Sequence, residues 1–181
     1  MATDPPPTLK KFCLDCGAAL QTRAVAGGRR PTCPACGFIL FRNPTPVGMA
    51  VAEREGQLLL IRRGNPPLQG YWAPPAGHVE IDESVEGATI RETFEEAGVK
   101  VALNGLLGVF SQADVGVVII VYSGKVAGGQ ARAGEDAIEV GFFAPGALPE
   151  QPAPADGDAV DRWFFTMIEK VTEPWRKIGA Q

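Results

Sequence analysis

A chain of 181 residues that is 45% hydrophobic has enough apolar side chain for one ordinary domain core with a small appendage, which excludes an intrinsically disordered protein. Its formal net charge of −4 argues against a general nucleic-acid binder, which needs a basic field to displace counterions, so an anionic substrate would require bound metal or a few placed Arg and Lys. No apolar run reaches the roughly eighteen residues of a membrane span, and the opening MATDPPPTLKKF lacks the apolar region of a secretory signal, so a cytoplasmic protein is expected.

The Pro-rich residues 1–9 disfavour regular structure. The four cysteines then arrive as two pairs, Cys13/Cys16 in CLDCG and Cys33/Cys36 in CPACG. Two C-x2-C turns at this separation can present four thiolates to Zn2+, and each trailing glycine, Gly17 or Gly37, relieves the backbone where amides turn toward sulfur. Two disulfides or four unrelated thiols are the alternatives, and a reducing compartment disfavours the first. A site with four Cys ligands keeps no open position for water and is therefore structural. Residues 10–42 are too few to fold on hydrophobic burial alone, which makes metal the expected staple. Lys10, Lys11, Arg23, Arg29 and Arg30 make this segment locally basic, so a nucleic-acid or protein binding module is a second reading of it.

RNPTP at 42–46 marks a boundary. VGMAVAE (47–53) reads as a strand, EGQ as a hairpin turn and LLLIRR (58–63) as the returning buried strand. GNPPLQGYWAPPAG (64–77), with four prolines, reads as an irregular loop of a length that is more often functional than idle. A helix from about Ser84 to Ala97 follows, stopped by Gly98. Strands are expected at 99–110, 115–126 and 138–144, a second helix at 158–171, and loops at 127–134 and 145–159. Strands interleaved with two helices indicate an α/β protein with a mixed sheet.

The first helix carries most of the chemistry. Five carboxylates lie between Glu83 and Glu96, and from Ile81 to Val99 the one basic residue is Arg91. At about 100° per residue, Ile90, Phe94 and Ala97 share a face suited to packing on the sheet, and Glu92, Glu95 and Glu96 fall in a band opposite it. A solvated helix face is the simpler account of such a band, but those faces usually mix in Lys. Uncompensated carboxylates suit hard divalent cations, which prefer oxygen ligands and bridge to phosphate. The single histidine, His78, has no nucleophile elbow near it, which sets aside a Ser-His-Asp mechanism.

Gly77, Glu83, Arg91, Glu92, Glu95, Glu96, Gly98 and Val99 occupy the positions of the pattern G-x5-E-x7-R-E-U-x-E-E-x-G-U, where U is apolar, with Thr93 at the first U the one departure. The stretch resembles the Nudix box, and the wider chain is similar to Nudix hydrolases with an N-terminal zinc ribbon, among them NADH, FAD and ADP-ribose pyrophosphatases. The resemblance implies a zinc ribbon at 10–42, a Nudix α/β/α sandwich around a mixed sheet at 46–150, and a C-terminal loop and helix at 151–181 packing on it. It implies hydrolysis of a nucleoside diphosphate derivative with Mg2+ or Mn2+, ADP-ribose or FAD before NADH, and it allows a homodimer. The NADH-directed members carry an SQPWPFP-type array, of which GVFSQADVGVVI keeps Ser111 and Gln112.

By resemblance, Glu92, Glu96 and the carbonyl of Ala76 are metal ligands, and Glu95 joins them directly or through water. Glu139 is the expected later metal-binding or base carboxylate, with a surface position as its alternative and Glu135 and Asp136 as secondary candidates. Glu83 is read as a structural partner of the loop or of Arg91. Of Arg62 and Arg63, one is placed to reach a phosphate and the other is solvated charge. Tyr71, Trp72 and Phe110 stack on a base or flavin, or else belong to the core.

Overall fold

The computed structural model describes residues 11–152 and 159–177. The Pro-rich start, Lys10, the end of the expected 145–159 loop and the last four residues lie outside the described residues. The chain divides between Asn43 and Pro44 into two compact units.

The first unit is built from two matching turns and a hairpin. In one turn Cys13 N–H donates to Ala18 O and Gly17 N–H to Cys13 O; in the other, Cys33 N–H donates to Phe38 O and Gly37 N–H to Cys33 O. Gly17 and Gly37 take φ of 75° and 83°, the left-handed region that a Cβ disfavours. Strands β1 (Gln21–Val25) and β2 (Gly28–Thr32) pair antiparallel between them. Their two-residue turn has positive φ at both Ala26 and Gly27, the sign that matches the twist of a tight hairpin.

The second unit begins with β3 (Thr45–Arg54) and β4 (Gln57–Arg63), joined by a turn at Glu55 and Gly56 with positive φ at both residues. The segment expected as loop from 64 to 77 is corrected in its second half, which contributes two short strands, β5 (Trp72–Ala73) and β6 (Ala76–His78). Helix α1 (Val85–Ala97) leads to β7 (Val99–Ser111), β8 (Val117–Gly129), β9 (Ala137–Phe143) and α2 (Ala159–Lys177). The expected strand at 115–126 runs on through the Gly-rich residues to Gly129, because β7 remains its partner to that end. The expected second helix continues past residue 171 and through Pro174 to Lys177. Trp175 packs on the same core, and its carbonyl accepts the Gly146 N–H.

The sheet runs β5-β4-β3-β8-β7, with β6 added to β3 and β9 to β4. β3 and β8 pair in parallel and the other ladders are antiparallel. Both faces of the central strands are covered, so β3 and β4 are continuously apolar rather than alternating. Val47, Met49, Val51, Leu58 and Leu60 share a core with Met167, Ile168 and Val171 of α2. Ala50, Ala52, Leu59 and Ile61 share the opposite core with Ala97 of α1. Burying Leu58, Leu59, Leu60 and Ile61 contributes about 2 kcal/mol apiece.

The sheet forks where the site forms. β4 pairs with β3 only at Glu53↔Leu58 and Arg54↔Gln57, while the other end of β3 pairs with β6 at Val47, Gly48 and Met49. Between these points the Pro74–Pro75 link crosses from β5 to β6, with Pro75 O accepting the Ala50 N–H.

Helix α1 is capped as its sequence indicates. Ser84 Oγ accepts from Gly87 N–H, and Gly98, at φ 71°, donates its N–H to Phe94 O. Its rotation, however, corrects the hydrophobic-wheel expectation. Ile90 and Phe94 are 40% and 51% exposed, whereas Ala88, Thr89, Thr93, Glu96 and Ala97 are buried. The helix meets β3 at Gly48, where a Cβ would collide with Thr89 Oγ1 and Val85 O. That approach has room for threonine but not for Ile or Phe. Thr89 and Thr93 can be buried because their hydroxyls donate to Val85 O and Thr89 O at 2.7 Å. With Thr93 inward, Glu92 and Glu96 lie on the flank of the packed face rather than opposite it.

Candidate active site

A cleft of about 390 Å3 opens at the fork of the sheet. Its polar side brings together Glu92 and Glu96 from α1, Arg63 from the end of β4, Asn65, His78 and Asp136. These come from four separate stretches of chain, and the fork is what assembles them.

Glu96 is the buried member, 6% exposed. Its Oε2 accepts the Ala76 N–H at 2.8 Å, so the residue expected as a carbonyl ligand also positions this carboxylate. Burial pushes the Glu96 carboxyl up to about 7, and the charges of Glu92 and Asp136 act in the same direction against the Ala76 N–H and Arg63. A divalent cation at this point would take the place of the missing counter-charge. Arg63 is partly buried, and its desolvation lowers its pKa, while Glu96, Asp136 and Asp161 favour its charged form. Its Nε donates to Pro67 O at 2.8 Å.

Glu92 is set by two constraints. Gly77 lies so near that a Cβ there would overlap the Glu92 carboxylate. From the other side, Arg91 Nη1 donates to Glu92 Oε1 at 2.9 Å. Arg91 is a hub: it also donates to Glu83 at 2.6 and 3.1 Å, to Glu95 Oε2 at 2.8 Å and to His78 O at 3.0 Å. Glu83 in turn accepts the Glu80 N–H at 2.9 Å, tying the turn before α1 to the hub. The hydrogen bonds to Arg91 lower the Glu83 pKa, and Glu83 is the first cause of the raised Arg91 pKa. Glu95 stands on the outer side of Arg91, half exposed, and is linked to Glu92 through that guanidinium.

The remaining expected residues separate into those at the cleft and those elsewhere. Of the two arginines it is Arg63 that lines the cleft; Arg62 donates from Nε to Gly70 O at 3.2 Å and braces the loop. Glu139, the expected later carboxylate, takes the surface position given as its alternative: it is exposed on β9, opposite Arg62 in the ladder, and does not line the cleft. Asp136, a secondary candidate in the sequence, lines it instead. The β4–β9 register slips between Arg62 and Arg63, Gly64 N–H donates to Asp136 O, and Asn65 Nδ2 donates to Asp136 Oδ1 at 2.6 Å. Asn65 carries no motif, and its only signal is its place just after Arg63 and Gly64.

Tyr71 and Trp72 are corrected from stacking platforms to core residues, at 6% and 8% exposed. Tyr71 meets Phe165 edge-on at 6.1 Å and Trp72 meets Phe143 at 4.9 Å. Phe110 packs on the same core beneath Lys170 Nζ, 5.4 Å from its centroid, and is also absent from the cleft.

In the first unit all four cysteines are free thiols whose Sγ atoms lie within 4.8 Å of one another. Cys13 to Cys36 is 3.6 Å and Cys16 to Cys33 is 3.5 Å. Sulfurs about 2.3 Å from a tetrahedral zinc sit ~3.8 Å apart, so the set fits that ion, whereas disulfides would need ~2 Å. The Cys36 N–H, with that of Ala35 in support, holds the Cys33 thiol down to about 6, while the crowding of neighbouring sulfurs pushes Cys36 and Cys16 up, so Cys33 is the thiol most ready to ionise.

A family model described as NUDIX domain matches residues 42–177. Over 117 residues the chain is 39% identical to the ADP-ribose pyrophosphatase of Methanocaldococcus jannaschii, covering 62% of this chain and 69% of that protein. It is 35% identical over 147 residues to the NAD-capped RNA hydrolase NudC of Chromobacterium violaceum, covering 80% of this chain and 54% of that one, so it spans about half the length of that relative. A crystal structure of a NUDIX hydrolase from Nitrosomonas europaea is similar at a TM-score of 0.73 and 31% identity, over 77% of this chain and 81% of the other.

Proposed function

The chain belongs to the NUDIX family of pyrophosphate hydrolases, and within that family we propose that it cleaves the pyrophosphate bond of ADP-ribose or FAD to release a nucleoside monophosphate. The observation that carries the chemistry is the meeting of Glu92, Glu96 and Asp136 with the partly buried Arg63 in one cleft. The substrate choice draws on the similarity to a protein named ADP-ribose pyrophosphatase and on the absence, from the residues that follow Ser111 and Gln112 (113–119), of the Trp, Phe and Pro of the NADH-type array.

Glu92, Glu96 and the Ala76 carbonyl would hold Mg2+ or Mn2+, with Glu95 in the surrounding shell. Such ions would supply charge to offset the phosphate oxygens and to acidify the attacking water. Arg63 pairs with a non-bridging phosphate oxygen. Asp136, aimed by Asn65, takes the proton as water attacks one phosphorus and the anhydride P–O bond breaks, the bridging oxygen leaving with the other phosphorus so that two phosphate monoesters result. Arg91 keeps Glu92 and Glu95 in fixed rotamers, so no reorganisation is needed at the moment of reaction. In the first unit, Cys13, Cys16, Cys33 and Cys36 hold one structural Zn2+. The reading includes a cytoplasmic location, a reducing compartment that suits four free thiols.

A second reading, cleavage of NADH or another NAD-linked pyrophosphate, is favoured by the match to NudC across 80% of the chain. Incubation with ADP-ribose, FAD, NADH and nucleoside triphosphates plus Mg2+ or Mn2+, with products identified by mass spectrometry, separates these. AMP and ribose 5-phosphate from ADP-ribose, or AMP and FMN from FAD, are the expected products; no turnover of any of the four would overturn the proposal.

A further inference from the structure

The two sides of the cleft differ in chemistry. The side built by α1, β6 and the loops at 63–65 and 136 carries all its charged and hydrogen-bonding side chains. The apolar lining includes Met49 and Ile119 of the sheet and Phe164, Met167 and Ile168 of α2, which belong to the α2 core and not to the one that Ala97 of α1 shares. That wall holds no side-chain donor or acceptor stronger than a thioether. Met167 and Ile168 are rooted in the core, whereas Phe164 is only partly buried and leans edge-on against Trp163 at 4.8 Å. The same helix also holds the rim of the cleft, since Asp161 Oδ1 in its first turn accepts the N–H of Leu68 at 3.1 Å. Leu68 is buried at a positive φ of 59°, so the loop following Arg63 is fastened to α2.

We propose that α2 is the specificity wall of this enzyme: with the pyrophosphate at the carboxylate side, the cleft seats a flat aromatic or other apolar part of the substrate against Phe164, Met167 and Ile168 and reads it by shape rather than by hydrogen bonds. The inference rests on the cleft being the hydrolytic site. It carries a specificity that the carboxylates do not. One aromatic ring can replace another there, because exchanging ring substituents leaves no wall group unpaired. A bare sugar is rejected, because each hydroxyl pressed against Phe164 or Met167 gives up water without a partner, at roughly a tenfold loss of affinity or more. Of the two ends of ADP-ribose, adenine is the one that goes to α2.

Binding of AMP and of ribose 5-phosphate to the full chain with Mg2+, measured by calorimetry, tests this without turnover. AMP is expected to bind at least about tenfold tighter, with inosine monophosphate within about threefold of AMP. Phe164→Ala should weaken AMP about tenfold and leave ribose 5-phosphate unchanged, with Phe164→Leu recovering part of the loss. With ADP-ribose the same variant should raise KM while kcat stays within about twofold. Equal affinity for AMP and ribose 5-phosphate, or a Phe164→Ala loss shared by both, would overturn the wall. The comparison on the unaltered protein decides the matter even if Phe164→Ala does not fold. A preference for AMP with no hydrolysis of any pyrophosphate would instead sink the hydrolase reading and leave the wall standing.

Discussion

Replacing Glu96 by Gln separates what this residue does for function from what it costs the fold. Burial lifts its carboxyl from the ordinary 4.5 to about 7 in the metal-free protein. The folded state therefore holds the proton more tightly than the unfolded chain, and stability falls as pH rises from about 4.5 to about 7. The difference of 2.5 pH units, at 1.36 kcal/mol each, sets an upper bound of about 3 kcal/mol on the cost of ionising Glu96 at pH 8. Gln is neutral at every pH, nearly isosteric, and its Oε1 can still accept the Ala76 N–H. In EDTA at pH 8, Glu96→Gln should be more stable than the parent by up to about 3 kcal/mol, a rise in Tm on the order of 10 °C. The gain should disappear near pH 4.5, where the parent is itself protonated. Titrating in Mn2+ should raise the Tm of the parent and leave the variant nearly unmoved, and hydrolysis by the variant should fall by about a thousandfold or more. Thermal melts at the two pH values, with and without metal, measure all of this. A variant less stable than the parent at pH 8 in EDTA would refute the reasoning, since it would mean that the carboxylate is satisfied in the empty site.

Arg91→Ala removes the donor shared by Glu83, Glu92, Glu95 and His78 O. Because Arg91 is partly exposed, stability should fall by only about 1–2 kcal/mol, while kcat/KM falls about a hundredfold; Arg91→Lys should recover little, having no planar fork, and kinetics beside urea melts give both figures. Asp136→Asn should lower kcat at least about tenfold, whereas Glu139→Gln should change it less than about twofold; the reverse ranking in steady-state assays would return the role to Glu139. Gly77→Ala should displace the Glu92 carboxylate and reduce Mn2+ affinity, read by calorimetry, with a smaller effect on Tm than Gly48→Ala. Gly48→Ala drives α1 off β3 and should cost about 2–3 kcal/mol. Elemental analysis should find one zinc per chain, and Cys33→Ser should abolish it.

The errors of a sequence reading are as informative here as its successes. Element positions were legible because each has a local cause: Ser84 and Gly98 bound α1, Glu55-Gly56 turns the β3–β4 hairpin, and the unbroken LLLI run demands a strand covered on both faces. The rotation of α1 has no such local cause. A hydrophobic wheel favours Ile90 and Phe94 as the buried stripe, but the depth of the groove is set by Gly48, forty-one residues before Thr89 and on another element. Only a residue as slim as Thr, with its hydroxyl returned to its own helix, fits that depth. The outcome is functional as well as structural. Had Ile90 and Phe94 been inward, Glu96 would stand in water with an ordinary carboxylate pKa and no Ala76 N–H to hold it.

The same argument explains the exchange of Glu139 for Asp136. Glu139 is the carboxylate that the resemblance indicates, and what brings Asp136 to the cleft is a register slip between Arg62 and Arg63 beside which Gly64 N–H donates to Asp136 O and Asn65 Nδ2 to Asp136 Oδ1. A slip of this kind costs no apolar burial on either strand, so it leaves no trace in the pattern of hydrophobic residues. The apolar wall on α2 was hidden for a related reason. WFFTMI reads from the sequence as a helix that packs on a sheet, and most of it does. The strands β3 and β4 part beyond Glu53 and Arg54, and of that helix Phe164, Met167 and Ile168 line the cleft that also holds Glu96. The carboxylates could be found by their spacing because the chemistry of a divalent cation dictates that spacing. The surface that selects the substrate could not, because nothing distinguishes a core side chain from a pocket side chain until the neighbouring strand is seen to part.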